Sequence, residues 1–238
     1  MTAAILEIAG VSKDYRGLRP LRIHELTVAA GEPVALLGFD QPAAEVFINL
    51  VTGASLPDAG HVRLFGRATS EIADSADWLA TVDRFGIVSE RAVLLEQLTV
   101  IQNLAMPFTL DIEPPGDDVH ARAARLASEV GLPESTWTRP VAELDVAAHV
   151  RVRLGRALAL DPAVLLLEHV SAGLSPADAG TLGGDLRALA GRRGAAVVAA
   201  TADEGFAGAV ASRVLALDPA TGRFRDHRRS GWFGRRLG

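Results

Sequence analysis

Several residue types that commonly carry chemistry are rare or missing in this chain. None of its 238 residues is a cysteine, which excludes disulfides and thiolate metal sites. Lys13 is the only lysine and Tyr15 the only tyrosine.

Long apolar runs and an excess of basic charge are also absent. No apolar stretch reaches the roughly 18–20 residues that cross a bilayer, and the first residues lack the basic and apolar segments of a signal peptide. The net charge of −5 offers no overall attraction for nucleic acid. We therefore expect a cytoplasmic protein with no nucleic-acid partner.

What the chain does have is apolar content, 49% of its residues, arranged in short runs. Strand-like alternation comes first, and buried strands then alternate with helical patterns, which is typical of a mainly parallel sheet covered on both faces. We predict an α/β fold with an N-terminal antiparallel β portion and a helix-rich insertion. The predicted strands are 5–8, 21–28, 34–37, 61–65, 85–88, 164–167 and 195–200, with a helix over 176–192.

The stretch from Val34 to Gly53 combines a buried strand, a glycine turn at Gly38 and a helical pattern from Ala43 onward. This geometry favours anion binding, because free backbone N–H groups and the helix dipole point at the same place. A P-loop, however, reads G-x-x-x-x-G-K-[ST], and here Gly38 is followed by FDQPAAEV. The frame is present without the residues that hold a phosphate.

Motifs in a fixed order make the chain similar to the ATP-binding subunits of ABC transporters. They lie at 11–15, 50–53, 57–60, 62–67, 98–104, 156–159, 162–167, 172–174 and 212–215. The resemblance implies a P-loop NTPase-like (RecA-like) domain over 1–225 with a helical subdomain at about 95–155, followed by a basic tail over 226–238.

The same resemblance implies that the family's phosphate-binding, metal-binding and catalytic positions are occupied here by residues that are unsuited to those roles. Its phosphate-binding lysine falls on Ala44 and the following magnesium ligand on Glu45, while the closing glycine falls on Ala43. Its signature segment falls on 144–148 and a later aspartate on Ser175. The remaining replacements are Glu90 for the magnesium-sensing glutamine, Glu168 for the Walker B aspartate, His169 for the general base and Ala202 for a histidine.

Phosphoryl transfer depends on positioning and charge stabilisation, so these departures predict a catalytically inactive pseudo-ATPase with no catalytic residues and no metal site. ATP binding is expected to be weak or absent, and Mg²⁺ is not expected. Residual nucleotide contacts would come from Tyr15 on the base and from Gly38, Phe39 and Asp40. Glu45 either occupies or repels the phosphate site, or is a solvated residue in the first helical turn.

The resemblance also implies partners. The family's ATP sites are shared across a dimer, and the chain is expected to join a membrane permease, an active paralogous subunit or both, at the inner face of the membrane. Residues 97–110 either dock on the permease or form core through Leu98, Ile101, Leu104 and Ala105.

Two alternative functions and one stretch stay open. The chain could be a weak or atypical ATPase that uses Arg91 or Arg16 as its basic group, or a nucleotide-independent scaffold. The basic stretch 223–236, with Trp232 and Phe233, either meets an anionic lipid surface or an acidic partner, or is a solvated, disordered tail.

Overall fold

The computed structural model describes residues 3–227. The predicted tail, apart from Asp226 and His227, lies outside the described residues. The strands are β1 (Ala4–Lys13), β2 (Leu21–Ala29), β3 (Pro33–Leu37), β4 (Ala59–Leu64), β5 (Arg67–Ala68), β6 (Phe85–Val88), β7 (Val164–Glu168), β8 (Ala196–Ala200), β9 (Arg213–Asp218) and β10 (Arg223–Asp226). The helices are α1 (Gln41–Val51), α2 (Ser75–Val82), α3 (Val100–Ala105), α4 (Asp117–Glu129), α5 (Val146–Ala157), α6 (Pro176–Arg193) and α7 (Glu204–Val210).

Two sheets organise the described part of the chain. The first is antiparallel in the order β2-β1-β4-β5, and the second has the order β10-β9-β3-β8-β7-β6. In the second sheet every pairing is parallel except that of β10 with β9. The predicted α/β class, with a mainly parallel core and an antiparallel N-terminal portion, is confirmed.

The apolar run of β3 is buried along its whole length because both faces of the strand are covered. Val34 and Leu36 belong to the apolar cluster shared with α1 and the antiparallel sheet. Ala35 and Leu37 belong to the cluster formed with the helices on the opposite face. Successive side chains of a strand point to opposite faces, so covering both faces requires an uninterrupted apolar run.

Helices α3, α4 and α5 contribute to the second cluster. Between α4 and α5 the chain forms two short 3-10 turns, at Glu134–Thr136 and Val141–Glu143, rather than a continuous helix. The buried side chain of Asn103 holds the segment that precedes α3. Its amide accepts a hydrogen bond from Leu95 N (2.9 Å) and donates one to Leu95 O (2.9 Å). This polar residue is therefore satisfied inside an apolar cluster.

The structure differs from the sequence predictions at several boundaries. The helix α1 begins at Gln41 rather than Ala43, because Asp40 caps it. The strand β4 ends at Leu64, and Phe65, predicted as a strand residue, takes a φ of +51°. For residues 223–226 the disordered interpretation is wrong, since they form β10, paired with β9 through Phe224 and Leu217.

Candidate functional site

The glycine turn after β3 is shaped by a neighbouring strand. Gly38 has a φ of +91°, and a Cβ added there would lie 2.8 Å from the carbonyl oxygen of Leu217 in β9. Both the backbone conformation and this close approach exclude a side chain. The structural demand alone is sufficient to require glycine at this position.

The two residues that follow serve the fold. Phe39 is buried, and its ring centroid lies 5.3 Å from that of Phe47 and 6.4 Å from that of Phe224. The carboxylate of Asp40 accepts a hydrogen bond from the backbone N–H of Ala43 at 2.8 Å. The chain thus places its own negative charge at the helix N-terminus, where an external anion would otherwise bind.

Ala44 and Glu45 follow on α1. Ala44 is fully buried, and its N–H donates to the carbonyl oxygen of Asp40 at 2.9 Å. Glu45 is the fifth residue of the helix, not a first-turn residue, and its Oε1 lies 3.0 Å from Nη1 of Arg91. The interpretation of Glu45 as a merely solvated first-turn residue is therefore wrong: the side chain is half-exposed but ion-paired.

Glu168 is the last residue of β7, and its side chain is 0% exposed. One carboxylate oxygen accepts from Gln41 Nε2 and the other from Arg91 Nη2, both at 2.6 Å. The structure therefore brings together Glu45, Glu168 and Arg91, three of the residues singled out in the sequence. Gln41 was missed, and only its position one residue after the helix cap could have suggested it.

The other candidate positions do not converge on this network. Arg16 is exposed, and its backbone N–H donates to Asp14 Oδ1 at 2.9 Å. Glu90 is exposed, and so is Ala202, which lies between the buried Thr201 and Asp203, the N-cap of α7.

His169 follows β7 with a φ of +46°. Its backbone N–H donates to Ala200 O at 2.9 Å. Among the described residues, its buried Nε2 atom has no hydrogen-bond partner.

Tyr15 is half-buried beside the glycine turn. Burial, followed by the nearby Asp40 carboxylate, raises the pKa of its hydroxyl. A Cβ at Gly17 would lie 2.6 Å from Cε2 of the ring, so the loop backbone already packs closely on Tyr15. Lys13 is ion-paired with Asp58 at 2.9 Å.

The segment at the family's signature position leads into α5. Asp145 is the N-cap of α5, and its carboxylate accepts from Ala148 N at 2.7 Å. Ser175 similarly caps α6 by accepting from Asp178 N at 3.2 Å. Like Asp40, Asp145 places a carboxylate at a helix N-terminus.

Two further observations concern metals and membranes. Over residues 3–227, no group of three or more His, Asp or Glu side chains is arranged to hold a metal ion. In the same range, no helix is both long and apolar enough to cross a membrane.

The parallel sheet, with a glycine turn and helix after β3 and a carboxylate at the end of β7, defines a fold of the P-loop NTPase class. The family model described as ABC transporter matches residues 21–170, and the chain belongs to that family.

Among its relatives is the lipoprotein-releasing system ATP-binding protein LolD of Chromohalobacter salexigens. It is 29% identical over 218 residues, which cover 90% of this chain and 91% of LolD. The methionine import ATP-binding protein MetN of Brucella abortus is 28% identical over 91% of this chain, but the match spans only 58% of MetN. The dimeric ATP-binding cassette MJ0796, solved with ADP and Pi, shares the fold with a TM-score of 0.75 and 22% identity, covering 95% of this chain and all of that one.

Proposed function

We propose that this chain is a catalytically inactive ABC subunit with a structural or regulatory role in a transport complex. The observation that carries the proposal is the start of α1, where Asp40 caps the helix and the buried Ala44 stands where the family has its lysine. Two like charges about 4 Å apart repel by roughly 4 kcal/mol at an effective dielectric near 20. A triphosphate would meet that repulsion with no cation from α1 to offset it.

The residues at the metal-ligand positions also fit Mg²⁺·ATP poorly. Glu45 and Glu168 stand at those positions, and both are ion-paired with Arg91. Binding of a metal ion between them requires the guanidinium to leave and a buried carboxylate to change partners. We therefore assign no resident nucleotide or metal to the site.

The second half of a shared site is altered in the same way. In a dimer of the family, the signature segment of one subunit faces the nucleotide of the other. Here Asp145 caps α5 with its own carboxylate, which opposes an incoming phosphate. The chain would therefore contribute neither half of a competent site, whether it pairs with a second copy or with an active paralogue.

The transport role rests on family membership and on an exposed surface. The names of LolD and MetN assign them to a lipoprotein-releasing system and to methionine import. In this chain Ile101 and Leu104 of α3 are buried in the core. The exposed apolar side chains near them are Val93 (71% exposed), Leu95 (40%) and Leu110 (91%). We propose that these three contact a permease at the cytoplasmic face of the membrane.

One observation favours a second function, that of an atypical ATP-binding subunit. Arg91 places a cation beside α1 and β7, where a phosphate group could compete for it. We rank this function second because both terminal nitrogens of the guanidinium, Nη1 and Nη2, already contact carboxylates.

Titration calorimetry with Mg²⁺·ATP tests the proposal. We expect no binding heat from the wild type and a gain of binding in Ala44→Lys/Glu45→Ser, which restores the lysine and the metal ligand. Arg19→Lys, at an exposed position outside the site, is the matched control for added lysine and should behave like the wild type. A low-micromolar dissociation constant for the wild type would contradict the proposal.

A further inference from the structure

Three separate elements meet at one guanidinium. Arg91 lies in the loop after β6, and its Nη1 is 3.0 Å from Glu45 on α1. Its Nη2 is 2.6 Å from Glu168 at the end of β7. Gln41 completes the group by donating to the second oxygen of Glu168 at 2.6 Å. A single side chain therefore connects α1, the end of β7 and the loop after β6.

The electrostatics of this junction require a cation. The Glu168 side chain is fully buried, and a buried carboxylate is costly unless it is paired and hydrogen-bonded. Glu45 brings a second negative charge to the same guanidinium. The planar guanidinium presents several N–H donors in a fork, so it can bind two carboxylates at once. Without it, two carboxylates would face each other across the junction.

We propose that the Arg91 guanidinium is the resident cation of this junction and takes the place that family resemblance implies for a divalent metal ion between positions 45 and 168. This inference rests on the proposed function, since a nucleotide-bound metal would compete for the same carboxylates. Unlike a metal that arrives with a nucleotide, the guanidinium is covalently attached. It holds the loop to α1 and β7 whether or not a nucleotide is present.

The loop is also fastened on its other side. Arg153 Nε donates to Ala92 O at 3.2 Å, and Arg156 Nη1 donates to Val93 O at 2.6 Å, both from α5. Farther along, Leu95 N donates to the Asn103 side chain of α3 at 2.9 Å. Through Arg91 on one side and these hydrogen bonds on the other, the loop after β6 is held to α1 and β7 and also to α5 and α3.

Thermal unfolding of Arg91→Gln, with and without MnCl₂, tests the inference without any nucleotide. The variant leaves Glu168 buried without its cation, but solvent screens part of this loss because the Arg91 side chain is 40% exposed. The Tm should therefore fall by roughly 4–12 °C, less than for a fully buried pair. Mn²⁺ prefers carboxylate oxygens, and at about ten times its dissociation constant it should raise the Tm of Arg91→Gln by about 3 °C or more. EDTA should reverse that gain, and the wild type should not respond.

Two matched variants separate a resident cation from an ordinary surface pair. Arg91→Gln/Glu168→Gln removes the buried charge together with its partner, so it should recover at least half of the loss in Tm and should not respond to Mn²⁺. Arg91→Lys keeps the charge but not the fork, so it should fold and melt between the wild type and Arg91→Gln.

Failure of the inference differs from failure of the proposed function. The inference is wrong if Arg91→Gln or Arg91→Lys melts with the wild type, if Arg91→Gln/Glu168→Gln melts no higher than Arg91→Gln, or if Mn²⁺ leaves the Tm of Arg91→Gln unchanged. Binding of ATP by the wild type would instead refute the proposed function. The two sets of measurements share no readout.

Discussion

Substitution of Gly38 by alanine probes whether the glycine turn is needed by the fold itself. A phosphate-binding turn requires glycine for ligand access, whereas here the backbone of β9 already occupies the space. The added methyl group would lie 2.8 Å from Leu217 O and 3.4 Å from Leu217 Cβ. Since the nearest atom is a backbone oxygen, relief requires the strand to move.

Two effects set the size of the destabilisation. A non-glycine residue in a sparsely populated backbone conformation costs about 1–3 kcal/mol. Overpacking against a neighbour that cannot rotate away costs a further 1–3 kcal/mol or so. Taking roughly 3 kcal/mol as the combined free energy, and about 2–4 °C per kcal/mol for a chain of this size, we expect Gly38→Ala to lower the Tm by about 6–12 °C.

Differential scanning calorimetry on the full chain measures this shift. Gly184→Ala, also a glycine-to-alanine change, is the control, because Gly184 lies in α6 and a Cβ added there would meet no neighbouring atom within 4 Å. It should raise the Tm slightly, since alanine favours helix by up to about 1 kcal/mol over glycine. A Gly38→Ala protein that melts within about 2 °C of the wild type would refute the reasoning.

Three further substitutions test other parts of the structure by thermal unfolding. Gly183→Ala should cost about 1–3 kcal/mol, because its methyl would lie 2.8 Å from the Cβ of Ala209 where α6 meets α7; an unchanged Tm would contradict this packing. Arg193 lowers the pKa of Glu129, so this ion pair stabilises the fold above the unfolded carboxyl pKa of about 4.3, and the contribution is lost as pH falls through the folded pKa. Glu129→Gln should therefore lower the Tm by about 2–4 °C at pH 7 and much less at about pH 3, and a pH-independent difference would count against the pair. Asp145→Ala should cost about 1 kcal/mol as a lost helix cap, whereas Asp145→Ser should keep most of the stability; equal losses would show that the cap does not matter.

The sequence predicted most of the parallel core, because buried strands such as β7 consist largely of an uninterrupted apolar run, here residues 164–167. It did not predict β9, since charged residues begin and end Arg213–Asp218. It also did not predict β10, since Arg223–Asp226 is charged and pairs only at the edge of the sheet, where side chains stay exposed. The short helices α2 and α7 were also missed because so few residues give little periodicity.

The candidate site was predictable in part. Motif order located Glu45 and Glu168, because each stands at a fixed distance from an apolar run. The role of Gln41 could not be predicted, since its partner Glu168 is 127 residues away in sequence. Arg91 was recognised as a candidate only by its neighbours. Its placement between two carboxylates depends on how the loop after β6 folds back, which no local pattern encodes.

Phosphate release by the purified wild-type chain with Mg²⁺·ATP most directly tests the central claim that the nucleotide-binding frame remains while its chemistry is lost. We predict that phosphate release will not co-elute with the protein peak in gel filtration. Any residual phosphate release should be the same for the wild type and for Tyr15→Ala. Tyr15 is the residue expected to stack on the nucleotide base. ATP hydrolysis that co-elutes with the wild-type protein and is reduced in Tyr15→Ala would contradict the account.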